Sequence, residues 1–282
     1  GIKMTRFVQT RRGFLATATA AGASAALPLP GLAQTEGRTL RLRLDGDIDL
    51  LDPGYMSGGI EIEAQKQCLP FLAQYKREGD TFTWEPTYFV ERLEQRDPTH
   101  IDFTLAEGLV WSGGYGPVTA SDVKYSYERM KGTDWSGYFD ALDRVDVTDE
   151  RSGTIVLTEP FSPFIMVTLC HGPGAVLSEA AMKEVGERFT TEFPAICGPY
   201  HLEITPGQRA LYTPNPDWTG PKPAFDRVEC PVITQGKAAE LAFEAGELET
   251  TEVSADTLAR YNANMPEGTA ITVGGELQYM WL

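Results

Sequence analysis

Apolar and polar residues alternate at several places along the chain, and each alternation predicts a half-buried strand. Leu40-Arg41-Leu42-Arg43-Leu44 alternates without a break. Ile101, Phe103 and Leu105 alternate with Asp102 and Thr104, and Thr154-Ile155-Val156-Leu157-Thr158 reads as another strand. Residues 200–204 and 209–213 flank Thr205-Pro206-Gly207-Gln208. Proline second and glycine third suit a type II turn, so this stretch predicts a hairpin. Helical signals stand between the strands. Thr119-Ala120-Ser121-Asp122 opens like a capping box and sets Val123, Tyr127 and Met130 on one face. Ser178 caps a predicted helix through residue 188, residues 237–245 form one that stops at Gly246, and Ser254 caps another reaching residue 262. Strands and helices do not alternate regularly, so the pattern predicts an α/β chain of mixed α+β type with mixed sheets, not a doubly wound sheet.

The N-terminal segment follows a different logic. Residues 1–33 carry Lys3, Arg6, Arg11 and Arg12 and no acid, and residues 13–35 are uncharged and rich in alanine. A basic front, an uncharged middle and small residues before Ala33 predict a secretory signal cut after Ala33, with translation beginning at Met4. Glycine and proline interrupt the segment too often for a membrane anchor of ~20 apolar residues. Thr10-Arg11-Arg12-Gly13-Phe14-Leu15 resembles the twin-arginine export motif, which makes Arg11 and Arg12 the export residues and the twin-arginine translocase a partner.

Charge and composition narrow the function. The 282 residues carry 40 acids against 24 lysines and arginines, a net charge of -16. Removing the four N-terminal cations takes this to -20. Such a balance disfavours nucleic acid and anionic membranes, both of which need a basic face. The 28 glycines and 19 prolines predict many turns. Cys68, Cys170, Cys197 and Cys230 include no C-x-x-C pair, so no zinc or other metal site is predicted. In an oxidising compartment four cysteines allow three full pairings, and the spacing does not choose among them.

Catalytic patterns are lacking. His100, His171 and His201 have no H-E-x-x-H spacing and read as structural or exposed, and no G-x-S-x-G follows a strand. Gly172-Pro173-Gly174 lacks a third glycine, Gln235-Gly236-Lys237 lacks the earlier one, and Ser112-Gly113-Gly114-Tyr115-Gly116 reads as a plain turn. No catalytic residue and no cofactor is predicted.

A set of spaced motifs resembles the solute-binding proteins of ABC importers, family 5, which includes dipeptide-, oligopeptide- and nickel-binding members. Leu50-Leu51-Asp52-Pro53 follows the opening strand. The run from Asp97 to Ser112 continues into Pro117-Val118-Thr119-Ala120-Ser121-Asp122-Val123 and Tyr127-Glu128-Arg129. Cys197-Gly198-Pro199-Tyr200, Asn215-Pro216-Asp217-Trp218 and Ala245-Gly246-Glu247-Leu248-Glu249 follow in the family's order. Cys197 stands where threonine is usual, and the turn after Trp111 is longer than the family's.

The resemblance implies a periplasmic-binding-protein-like type II fold without enzymatic activity. It implies a signal over residues 1–33, a first lobe over 34–270 and a strand over 271–282 entering a second lobe that is largely missing. It implies a periplasmic monomer that captures a peptide-like solute and delivers it to membrane permease subunits. A nickel chelate, an opine or an oligosaccharide is the alternative solute, and a twin-arginine-exported cofactor enzyme the second alternative. Tyr55, Met56, Ser57 and Gly58 are the expected ligand loop, with Tyr and Met giving apolar contact and Gly58 admitting close backbone approach. A Cys170–Cys197 bridge is expected from the closeness of the corresponding family segments.

Overall fold

A computed structural model describes residues 6–10, 37–79 and 81–273. The strands are β1 (Arg6–Thr10), β2 (Thr39–Arg41), β3 (Ala73–Glu78), β4 (Thr81–Pro86), β5 (Val90–Asp97), β6 (His100–Leu105), β7 (Leu142–Val147) and β8 (Ser152–Leu157). They continue with β9 (Tyr200–Thr205), β10 (Arg209–Pro214), β11 (Arg227–Pro231), β12 (Thr250–Glu252) and β13 (Thr269–Val273). The α-helices are α1 (Gly59–Cys68), α2 (Ala120–Glu128), α3 (Glu179–Val185), α4 (Gly236–Glu244) and α5 (Ala255–Ala263). Among the described residues no helix is long and apolar enough to cross a membrane.

The chain divides into two compact units, one of residues 47–206 and 210–224, the other of 1–46, 207–209 and 225–282. The larger unit is built on an antiparallel sheet of order β5-β6-β8-β7. Ile101, Phe103 and Leu105 face inward from β6, and Ile155 pairs with Ile101 across the sheet. The alternation read from the sequence is thus a one-faced buried strand. Helix α2 packs on β7. Thr119 accepts the Asp122 N–H while the Asp122 carboxylate accepts the Thr119 N–H at 2.8 Å, the predicted capping box. The same carboxylate accepts from Trp111 Nε1 at 3.2 Å and the Glu179 N–H at 2.9 Å, so one buried acid ties the turn before α2 to the start of α3. Helix α3 ends at Gly186, in the left-handed region at φ 83°, three residues earlier than the apolar pattern suggests. The 112–116 segment is a tied-down turn, with Ser112 exchanging hydrogen bonds with Ile196 and Tyr115 donating to Glu184.

In the smaller unit β2 runs parallel to β11, with Leu40 opposite Val228, and the predicted strand shortens to isolated bridges at Leu42 and Leu44. Ala239, Phe243, Leu248 and Tyr261 form its apolar cluster between α4 and α5. β1 pairs antiparallel with both β12 and β13. Part of the expected signal segment is therefore strand, while Arg11, Arg12 and Ala33 lie outside the described residues.

Glu240 joins α4 to α5. It is 3% exposed and accepts from Lys237 Nζ at 2.9 Å, from the Thr257 hydroxyl at 2.8 Å and from the Ser254 N–H. Burial alone would raise its pKa, but these donors outweigh it and hold the carboxyl down at about 2. A depressed carboxyl stabilises the fold above its unfolded pKa of ~4.3, and the contribution drains away as pH falls toward 2. The difference amounts to about 3 kcal/mol. Hydrogen exchange within α5 should therefore accelerate between pH 5 and pH 2. Glu240→Gln should exchange fast already at neutral pH and lose most of that dependence; an unchanged pH profile in the variant would remove Glu240 as its cause.

Candidate functional site

The loop between Leu51 and α1 is organised by a buried ion pair. Asp52 is fully buried, and Arg129, just past the end of α2, is nearly so. Arg129 donates to the two carboxylate oxygens at 2.9 and 3.1 Å in a fork-on-fork arrangement. Its second nitrogen also donates to the Glu187 carbonyl at 2.8 Å. Burial lowers the guanidinium pKa, the Asp52 contacts raise it, and the net shift is upward, so the cation persists. Asp52 Oδ1 further accepts the Gly54 N–H at 2.9 Å, and the Asp52 carbonyl accepts the Tyr55 and Met56 N–H groups at 2.9 Å each. At Gly54 a Cβ would stand 2.8 Å from Thr133 Cγ2, so only glycine fits without a shift.

The loop lies where the sequence placed it, but its side chains have unequal roles. Tyr55 is half-buried and its ring lies 3.9 Å below the Arg188 guanidinium carbon, a cation–π contact. Met56 turns inward: it is 3% exposed, and its sulfur receives Gln65 Nε2 at 3.3 Å. Ser57 is exposed. Gly58 has open space around it instead of a close backbone neighbour, and its N–H donates to the Glu61 carboxylate at the start of α1.

What the loop presents through Met56 is its carbonyl, which accepts Trp135 Nε1 at 2.9 Å. Trp135 belongs to an aromatic group absent from the expected site. Its ring centroid lies 5.4 Å from that of Tyr138 and 5.8 Å from that of His171, and Tyr138 stacks on His171 at 5.0 Å. Asp134, Trp135, Gly137, Tyr138, Phe161 and Val167 line an open cavity of about 430 Å³. Burial, and then the nearby Lys66 charge, push the His171 pKa down, so the ring is neutral at pH 7. Its Nδ1 has no hydrogen-bond partner, and neither does Oε1 of the buried Gln65. Sequence reading set His171 aside as structural or exposed. The signal that could have found the group is the cluster Trp135, Tyr138 and Phe139 directly after the α2 motif.

A second cavity, of about 420 Å³, lies in the same unit, between α1, the β3–β4 hairpin and the segments around Pro199 and Trp218. Lys66, Gln67, Tyr75, Phe89, Tyr200 and Trp218 are among its walls. Among the described residues no group of His, Cys, Asp and Glu is arranged to hold a metal ion.

The four cysteines are buried free thiols, so the expected Cys170–Cys197 bridge is not formed in this structure. The backbone brings Cys197 to Cys68 instead, with the Cys197 N–H donating to the Cys68 carbonyl at 3.0 Å. Burial raises the pKa of Cys170, Cys197 and Cys230 to about 12. Thiols held neutral in this way are poor nucleophiles.

Comparison with known proteins places this geometry. The description "bacterial extracellular solute-binding proteins, family 5 Middle" matches residues 88–282. The probable D,D-dipeptide-binding periplasmic protein DdpA of Escherichia coli K12 is 29% identical over 190 residues, which is 64% of this chain and 36% of that protein. MoaA of A. tumefaciens R10, solved with mannopinic acid, matches with a TM-score of 0.70 at 25% identity, over 80% of this chain and 48% of its own. An oligopeptide ABC transporter substrate-binding domain from Bacillus anthracis Ames matches with a TM-score of 0.72 at 14% identity, over 82% and 48%. The fold is that of a type II periplasmic binding protein. The chain spans between 36% and 48% of the length of these relatives.

Removing one partner of a buried ion pair strands the other charge, whereas removing both does not. Arg129→Met should therefore cost about 3 to 5 kcal/mol in urea unfolding. Asp52→Leu combined with Arg129→Met should cost clearly less than the two single changes added. Strict additivity would mean that the two charges do not act on each other.

Proposed function

The chain belongs to the bacterial extracellular solute-binding proteins of family 5, and on that premise we propose that it captures a peptide-like solute for an ABC importer, using the face formed by the Asp52–Gly58 loop and Trp135, Tyr138 and His171. The observation that carries this reading is the pinned loop beside that aromatic face. Rigid aromatic rings bury apolar surface at low entropic cost. The ion pair fixes the loop carbonyls before any solute arrives, so the solute need not order them. The peptide class is suggested by DdpA, whose name gives a D,D-dipeptide as its solute.

In this reading residues 34–270 are one lobe, residues 271–282 lead toward a second, and the two close on the solute about a hinge. Export by the twin-arginine route, cleavage after Ala33, action as a monomer and delivery to permease subunits complete the proposal. If a longer protein held its solute at ~1 μM, or about 8 kcal/mol, half the contacts would leave about 4 kcal/mol, near 1 mM. The isolated chain is thus expected to bind weakly.

Titration of the chain with short alanine peptides, followed by tryptophan fluorescence, tests the site. Trp135→Ala should weaken binding about tenfold, the scale of one well-placed aromatic contact. Unchanged affinity would move the solute away from this face. A response to mannopinic acid and to no peptide would replace the peptide reading with an opine one. Export has its own test: changing Arg11 and Arg12 to Lys should leave uncleaved precursor in the cytoplasm. Normal appearance of the cleaved chain in the periplasm would count against the twin-arginine route.

A further inference from the structure

The two cavities of the larger unit differ in charge. Asp134 is the charged residue lining the first, and Lys66 the charged residue lining the second. The Asp134 side chain is exposed, and its backbone N–H, donating to the Gly54 carbonyl at 3.0 Å, fixes it beside the Trp135 ring. Lys66 reaches over the Tyr75 ring, with Nζ 5.6 Å from its centroid. Its carboxylate partner Glu63, at 3.2 Å, is 70% exposed, so that pair is weak and open to exchange.

Aromatic side chains join the two cavities. Trp135, Tyr138 and His171 form one group, and the Lys66 charge acts on His171 from α1. Tyr138 and Tyr75 are near enough that the charge of one raises the pKa of the other, after burial as the main cause. A chain of neighbours therefore runs from Asp134 through Trp135, Tyr138 and Tyr75 to Lys66. Its acid end has aromatic faces suited to an ammonium group, which ring quadrupoles attract. Its base end has an ammonium suited to a carboxylate.

We propose that the two cavities form one elongated site for a dipolar solute, a short zwitterionic peptide lying with its amino terminus at Asp134 and its carboxylate at Lys66. This rests on the reading that the aromatic face holds the solute, and it adds the direction in which the solute lies and the groups that set it. The apolar middle of the site then faces the peptide's central side chains, where it tolerates variation, while the two ends demand opposite charges.

The test uses the full 282-residue chain and four probes at millimolar concentrations: trialanine, N-acetyl-trialanine, trialanine amide and the doubly blocked peptide. Tryptophan fluorescence reads binding, and circular dichroism verifies that the surface variants Asp134→Asn and Lys66→Gln remain folded. Acetylation and amidation should each weaken binding to the natural chain about fivefold, the scale of one partly exposed charge contact. In Asp134→Asn the acetylation effect should vanish and the amidation effect persist. In Lys66→Gln the reverse should hold. If the blocked and free peptides bind the natural chain alike, the proposed polarity is wrong while the aromatic site stands. If each variant erases the other effect, the peptide lies the opposite way and the stated direction is overturned. If no probe binds at all, both the polarity and the peptide site fall.

Discussion

A charge that cannot reach water sets the terms for the larger unit. Asp52 is fully buried, and an isolated carboxylate there would cost several kcal/mol. Arg129 and the Gly54 N–H between them satisfy both of its oxygens. Coulomb attraction alone does not recover the desolvation of two ions; the additional hydrogen bonds decide the balance. Those bonds also determine shape. The Asp52 carbonyl turns the chain through Tyr55 and Met56, the Met56 carbonyl meets Trp135, and Trp135 meets Tyr138 and His171.

The consequence is a stiff platform with soft contents. Backbone groups and aromatic rings are held by partners on several elements, whereas the exposed groups at the edges, Ser57 and Asp134, remain available to a solute. A binding protein that closes around its ligand benefits from one rigid half, because ordering costs there are met before binding. Buried polar atoms beneath the platform, Gln65 Oε1 and His171 Nδ1, are left without a partner. Such groups cost stability, and they recur where function constrains the fold.

Much of the fold was legible because its strands and caps follow simple periodicities. β6 alternates cleanly, and Thr119, Ser178 and Ser254 cap the helices they were expected to cap. Helix α1 was missed for a physical reason: Glu61 and Gln65 are buried polar residues, so its inward face carries no apolar period. The β3–β4 hairpin was missed because it is largely exposed and lacks an inward face to alternate against. At the site, Asp52 and Arg129 were each visible within a family motif, but their pairing joins positions 77 residues apart and has no local signature. Trp135 and His171 meet only through tertiary packing, so neither spacing nor composition singled them out. Met56 shows the opposite limit, since loop position alone could not tell a ligand-facing side chain from one turned into the core.

The most direct measurement is hydrogen exchange at the Trp135 indole N–H and the Tyr55 and Met56 amides, compared between the natural chain and Arg129→Met under conditions where both stay folded. If the ion pair holds the loop and through it the aromatic face, all three groups are protected in the natural chain and exchange about tenfold faster or more in the variant. Equal protection in both proteins would show that the loop stands without the pair, and would contradict the dependence of the site on that buried charge.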